Sequence, residues 1–293
     1  MLKRIWMPRK NQLKPLLFAC CFVCVHLFCK KQTDGFTVSK ITSHLPFHSK
    51  WEVLQPPEEK IVQEILSQPF RYLGKGAQSF VFASDDGKYV IKFFRYDHMG
   101  DKGFLKYLPF KRTKRRVGRL RAKLQQDFSS YKLAYDNLKD ETALVYLHLN
   151  KTETLLERLE LVDKLGISHF LSAGELEFVV QKRASLLVPA LQDLMKKGQE
   201  EEAKAVISQL ISLLKRRCQK EIFDKDPDLF TNFGIINGKP IQIDVGRFKA
   251  DPSESDPHIY KDEIIRITDK LHKLLQEEYP SLDNELQKQI TLL

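Results

Sequence analysis

Between Asp224 and Gly246 the chain reads DKDPDLFTNFGIINGKPIQIDVG, and this stretch constrains the fold more than any other. Two short apolar runs are hinged at Asn237-Gly238, a pair that suits a tight antiparallel hairpin because both residues tolerate left-handed backbone. Asn232 stands just before the first run and Asp244 just after the second, so pairing the runs sets the two side chains together at the open end. Both carry hard oxygen atoms, and magnesium takes one or two such ligands from protein while phosphates and water complete its shell. Asp226 and Asp228, upstream in the same loop, are the candidates for accepting a proton from an attacking hydroxyl. Asp and Asn are also ordinary turn residues. Asp244, however, falls between an apolar strand and a glycine, where a turn former is not needed.

A second constraint lies upstream. Residues 70–83 and 88–95 have strand patterning about an Asp85-Asp86-Gly87 turn. The first contains Gly74-Lys75-Gly76-Ala77-Gln78-Ser79-Phe80-Val81, whose glycines would let the backbone approach a phosphate closely. The second contains Tyr89-Val90-Ile91-Lys92-Phe93-Phe94, and an unpaired lysine in so apolar a strand is costly. Its expected partner is Asp127, which interrupts the apolar face (Val117, Leu120, Leu124, Phe128, Tyr131, Tyr135) of a helix over 115–138. Glu141, just past that helix, is the fallback.

The remaining pattern gives strands at 143–149 and 177–182, a helix at 201–219 and a last helix at 260–278. Strands dominate the first half and helices the second, which implies an α+β fold of two lobes, residues 66–185 and 186–293. Residues 33–65 read as a linker or added element, ending in Pro56-Pro57 and a short helix at Val62, Ile65 and Leu66. Residues 1–32 form a leader, basic at Lys3, Arg4, Arg9, Lys10 and Lys14, then apolar over 15–29. That is the layout of a secretory signal or membrane anchor, although the run is shorter than the ~20 residues that span a bilayer comfortably. The expectation is a membrane-associated or exported protein whose body lies across the membrane from its basic start.

A net charge of +10 would suit nucleic acid or an anionic surface. The excess is concentrated in the leader and in residues 111–123, so it describes two segments and not a basic fold. The second run could meet an anionic substrate or lipid; with only Tyr107 and Phe110 nearby, base stacking has little to work with, and nucleic acid ranks last. Four of the 5 cysteines (Cys20, Cys21, Cys24, Cys29) fall in the leader, which excludes a disulfide framework within the body. Cys218, after Lys215-Arg216-Arg217, reads as a half-buried helix cysteine.

These motifs resemble the protein-kinase-like superfamily, which includes protein kinases and the aminoglycoside and lipid-sugar phosphotransferases. Gly74 and Gly76 with Val81 are similar to its glycine-rich loop, with Ser79 at the third glycine. Val90-Ile91-Lys92 is similar to its third-strand lysine motif, and Asp127 to its helix acid. Phe178-Val179-Val180-Gln181-Lys182 resembles the hinge strand, and Asp226 with Asn232 the catalytic loop. Asp244-Val245-Gly246 resembles the metal-binding motif. The resemblance implies ATP and magnesium as cofactors, with Gly74, Gly76, Ser79, Val81, Lys92, Asp127, Val180 and Lys182 about the nucleotide and Asn232 and Asp244 on the metal. The catalytic-loop spacing departs from the family: Pro227 stands five before Asn232, with Asp226 and Asp228 on either side. Three readings follow in order: an ATP-dependent phosphotransferase of reduced size, a pseudokinase that binds nucleotide or partners, and a basic nucleic-acid-binding protein.

Overall fold

The computed structural model describes residues 10–53, 56–96, 111–155 and 157–293, with side chains throughout these except at 10–13, 16 and 111–117. The start of the leader, the loop carrying Gly100 and Gly103, Tyr107, Phe110 and the basic side chains at 111–116 fall outside the described residues.

The chain opens with helix α1 (Lys10–Gln32) and, after two single 3-10 turns, helix α2 (Glu59–Leu66). Strands β1 (Phe70–Lys75), β2 (Ser79–Ser84) and β3 (Tyr89–Phe94) follow, then the long helix α3 (Lys111–Asn137) and the single turn α4 (Lys139–Thr142). Strands β4 (Leu144–His148), β5 (Arg158–Val162), β6 (Ser168–Ser172), β7 (Phe178–Lys182) and β8 (Ser185–Leu186) lead to helices α5 (Leu187–Lys196) and α6 (Glu200–Gln219). Strands β9 (Ile222–Asp224), β10 (Phe233–Ile236), β11 (Lys239–Gln242) and β12 (Phe248–Ala250) precede helices α7 (Pro257–Glu278) and α8 (Pro280–Thr291).

The seven-stranded sheet runs β4-β7-β3-β2-β1-β5-β6. Its neighbours are antiparallel except β1 and β5, which pair in parallel at Phe70↔Leu161 and Arg71↔Val162. Alternation along β2 and β3 sends Phe80, Phe82, Ile91 and Phe93 to one face, where they are buried with Leu159 and Leu161. Part of the segment before β1 joins that layer. Phe36 and Ile41 are 3% and 0% exposed, and Val62, Ile65 and Leu66 of α2 are buried in the same cluster, whereas Leu45, Trp51 and Val53 pack against the cluster on the other face. Of the two expectations for this stretch, a linker or an added element with a short helix, these contacts describe the added element.

The other face carries Phe94 and Val179, packed on Leu124, Phe128 and Tyr131 of α3. The same cluster takes in Ile222, Val245 and Phe248, so apolar packing joins α3 to the segment after β11. The second half of the chain forms a helical core of α5, α6, α7 and α8 around Leu210, Leu214, Ile264, Leu271, Leu282 and Leu286. Each side chain so buried contributes roughly 1.5–3 kcal/mol relative to exposure. Helix α7 starts at a sharp cap, with the Asp256 carboxylate accepting from the His258 N–H at 2.8 Å and Pro257 in the first turn.

In α1 the described side chains from Cys20 to Cys29 are all exposed, Phe18 and Phe22 being 74% and 67% so. No helix among the described residues is long and apolar enough to cross a membrane. The transmembrane-helix expectation for 15–29 gains no support from the structure. Cys218 is fully buried, not half-buried, and burial pushes its thiol up to about 12 despite the neighbouring Arg217.

Candidate functional site

Hairpin β10–β11 forms as its sequence requires. Asn237 and Gly238 take φ of 49° and 76°, the pair of left-handed residues that a two-residue turn demands. The ladder runs from Ile236↔Lys239 to Phe233↔Gln242 and continues as Ile243 N–H donates to the Asn232 carbonyl at 2.8 Å. Asp244 N–H reaches the same carbonyl at 3.3 Å, which brings Asn232 and Asp244 together.

The loop before the hairpin is held by buried charge. Arg217 of α6 is 0% exposed, donates to Gln242 Oε1 at 3.1 Å, and lies 3.6 Å from Asp224. Asp224 accepts from Gln242 Nε2 at 2.5 Å and from the Asp226 N–H at 2.9 Å. Asn232 Nδ2 in turn donates to the Asp226 carbonyl at 2.7 Å. Asp226 is therefore fixed from both sides of its backbone while its side chain is exposed.

Asp226, Asn232 and Asp244 line one cavity of about 70 Å³ with Gly76, Ala77, Gln78 and Ser79 of the β1–β2 turn, Tyr131 of α3, and Arg247. Asp228 does not line it. Its carboxylate accepts from the Phe230 N–H at 2.9 Å and meets Lys270 at 3.4 Å, which is a loop-closing role. The β1–β2 turn is closed by Gly76 N–H donating to Ser79 O at 2.9 Å, and its Gly76 carbonyl accepts from Arg95 at 3.1 Å. Gly74 faces Val81 across a bulge in β1, and Val81 pairs with Lys92.

Lys92 does not line this cavity; it is partly exposed and donates to the Ile243 carbonyl, next to Asp244, at 2.5 Å. Burial lowers its pKa below the ordinary lysine value, and the negative charge of Asp244 partly restores it. The expected pairing with Asp127 is not formed. Asp127 is 0% exposed, its Oδ2 has no hydrogen-bond partner among the described residues, and burial raises its pKa to about 7. Arg247 and Lys123 oppose that rise, in that order, and Asp244 adds to it. Glu141 is not a substitute, since it pairs with Arg216 at 2.9 Å on another surface.

Two further expectations fall elsewhere. Val180 is 1% exposed among Phe36, Phe70 and Phe178, and its strand lies between β3 and β4, so the ladders use its backbone. It cannot meet a base edge without breaking the sheet. Lys182, at the end of that strand, lines a different cavity with Glu141, Arg216 and Asn237. Sequence reasoning also missed Gln78, Tyr131, Arg217 and Arg247. Arg217 was findable, because it sits three residues after Leu214 and seven after Leu210 on the apolar face of α6.

No protein-family profile matches the chain, and no curated protein sequence matches it. Among solved structures it is similar to the bifunctional kinase-methyltransferase WbdD, at 14% identity and a TM-score of 0.39 over 76% of this chain and 47% of that one. It is also similar to the ROP18 kinase domain solved with AMP-PNP and sucrose, at 16% identity and a TM-score of 0.35 over 67% of this chain and 62% of that one. A third likeness is to Rv3197 of Mycobacterium tuberculosis, solved with erythromycin, at 13% identity and a TM-score of 0.32 over 92% and 74%. The chain spans less than half the length of the WbdD chains. At TM-scores below 0.5 these likenesses are distant.

Proposed function

We propose that the chain is a kinase-like phosphotransferase that takes a nucleoside triphosphate between the β1–β2 turn and hairpin β10–β11. The observation that carries this reading is the common cavity of Gly76, Ser79, Asp226, Asn232 and Asp244, with Lys92 bonded to the carbonyl of Ile243, the residue before Asp244. Phosphoryl transfer asks mainly for positioned charge about the phosphates, and these residues supply both signs. Asn232 and Asp244 are the residues that would hold magnesium. Among the described residues no cluster of three or more His, Cys, Asp or Glu side chains could hold a metal by itself. A pair of oxygen ligands completed by phosphate oxygens suits magnesium, which would neutralise charge on the phosphates when bound. Asp226, exposed and fixed by its backbone, is favoured over Asp228 as the base.

A cavity of about 70 Å³ is far below the ~300–1,000 Å³ of small-molecule sites, so the turn and the hairpin must part to admit nucleotide. Pro227 at the spacing of the family's base favours a second reading in which nucleotide binds without transfer. The test is magnesium-dependent ATP binding and turnover by the full chain beside Lys92→Ala and Asp244→Ala. The first reading expects turnover that falls at least a hundredfold in both variants. Binding without turnover leaves the second reading, and absence of binding ends both. On its sequence, the apolar leader is proposed as an export signal or anchor. A body digested by protease equally on both sides of intact membranes, with the chain in the soluble fraction, would reject that.

A further inference from the structure

Arg247 directly follows Asp244-Val245-Gly246 and lines the cavity with Asp226, Asn232 and Asp244. Its guanidinium is engaged by a side chain of the opposing turn. With the Gln78 amide in the orientation that satisfies both groups, its oxygen accepts from Arg247 Nε and Nη2, each at 3.1 Å. The amide thus occupies the Nε–Nη2 edge, the same edge that gives two parallel N–H bonds to two oxygens when arginine grips a phosphate. Gly246 makes the approach feasible, since a Cβ there would collide with the Gln78 amide.

Helix α3 is tied to this segment. Ser130 accepts from the Phe248 N–H at 2.6 Å and donates to the Val245 carbonyl, so residues 245–248 move with the helix. One turn earlier on α3 stands Asp127, buried, with one oxygen that has no partner among the described residues. An uncompensated buried carboxylate is costly, and it persists only where a partner offsets it in some state of the protein. Lys92 is occupied by the Ile243 carbonyl, and Arg247 is the foremost cation acting on Asp127.

Resting on the nucleotide reading above, we infer that Arg247 is a further phosphate-contacting residue, tied on both sides by Ser130 to the helix that carries Asp127, with the Gln78 amide oxygen occupying its fork until a nucleotide phosphate replaces it. Helix α3 then governs the arginine after the metal motif and leaves the strand lysine to Asp244. Lys123, also within reach of Asp127, acts on it more weakly.

The test measures affinity for magnesium-ATP and for adenosine with the full chain and its Arg247→Ala, Asp127→Asn and Gln78→Ala variants. Arg247→Ala is expected to weaken ATP at least tenfold while adenosine is unchanged. Asp127→Asn should weaken ATP several-fold, again sparing adenosine, whereas a merely structural acid would shift both ligands alike. Gln78→Ala removes the competitor and should tighten ATP a few-fold. If Arg247→Ala does not fold, Arg247→Lys, which keeps charge and loses the fork, should give an intermediate loss. The inference is overturned if the wild-type chain binds ATP and the arginine variant binds it equally well, or if ATP and adenosine weaken together. Absence of ATP binding by the wild-type chain overturns the nucleotide reading itself, and the inference with it.

Discussion

Two buried carboxylates, Asp224 and Asp127, are both under 2% exposed and both raised by burial, yet their surroundings differ. Asp224 has a full set of partners: the Arg217 guanidinium, the Gln242 amide and the Asp226 N–H. Asp127 has an oxygen with none among the described residues. The first arrangement is a fastening, which fixes the loop because both carboxylate oxygens are engaged, although Arg217 Nε and Nη2 carry no hydrogen bond among the described residues. The second is a reserve of unfavourable energy that a rearrangement near Arg247 can release. The paired carboxylate holds the floor of the site, and the unpaired one marks the part that can change.

Four substitutions would break or sharpen that contrast. The largest effect belongs to Arg217→Met, which strands Asp224 and removes the tie to Gln242. Loss of one partner of a buried pair costs about 3–5 kcal/mol, measured here as a shift of the urea midpoint, and a change under 1 kcal/mol would show that the fastening is not one. Asp127→Asn has a pH signature instead. The folded pKa of about 7 lies above the ordinary 3.8, so the contribution of Asp127 to stability is fully present below pH 3.8. It is lost as pH rises towards 7 and is level beyond. Relative to the asparagine variant, the wild-type chain should lose roughly 2–4 kcal/mol between pH 4 and 7. Parallel stability curves for the two proteins would reject the assignment.

The glycines divide in the same way. A Cβ at Gly234 would lie 2.7 Å from both the Ala184 Cβ and the Ser185 carbonyl, within the fixed floor. Gly234→Ala should cost about 1–3 kcal/mol in thermal or chemical unfolding. Gly74, on the movable side, has nothing within 4 Å of such a Cβ. Gly74→Ala should therefore stay within about 0.5 kcal/mol of the wild-type chain, and a larger loss would place hidden packing at that turn.

Local features were legible because their causes are local. Asn237-Gly238 specifies its hairpin through backbone sterics, and strand alternation places Lys92 in β3. The β5–β6 hairpin was missed although Arg158-Leu159-Glu160-Leu161 alternates polar and apolar; what the sequence could not show is its parallel pairing with β1, which joins residues some ninety apart. The burial of Phe36 and Ile41 escaped for a related reason. Two apolar residues in an irregular stretch have no periodicity to betray the face they cover. Val180 carries the converse lesson, since a strand read by motif proves to be an interior strand with its backbone committed on both edges.

By itself the sequence determined the hairpin of Asn232 and Asp244, the lysine strand and the strand-then-helix order, all consequences of residue type and short-range period. Only the tertiary structure decided which aspartate faces the cavity, which cation Asp127 answers to, and that Gln78 holds Arg247. Those choices depend on desolvation and on charges brought together from distant parts of the chain, and neither quantity exists until the chain is packed.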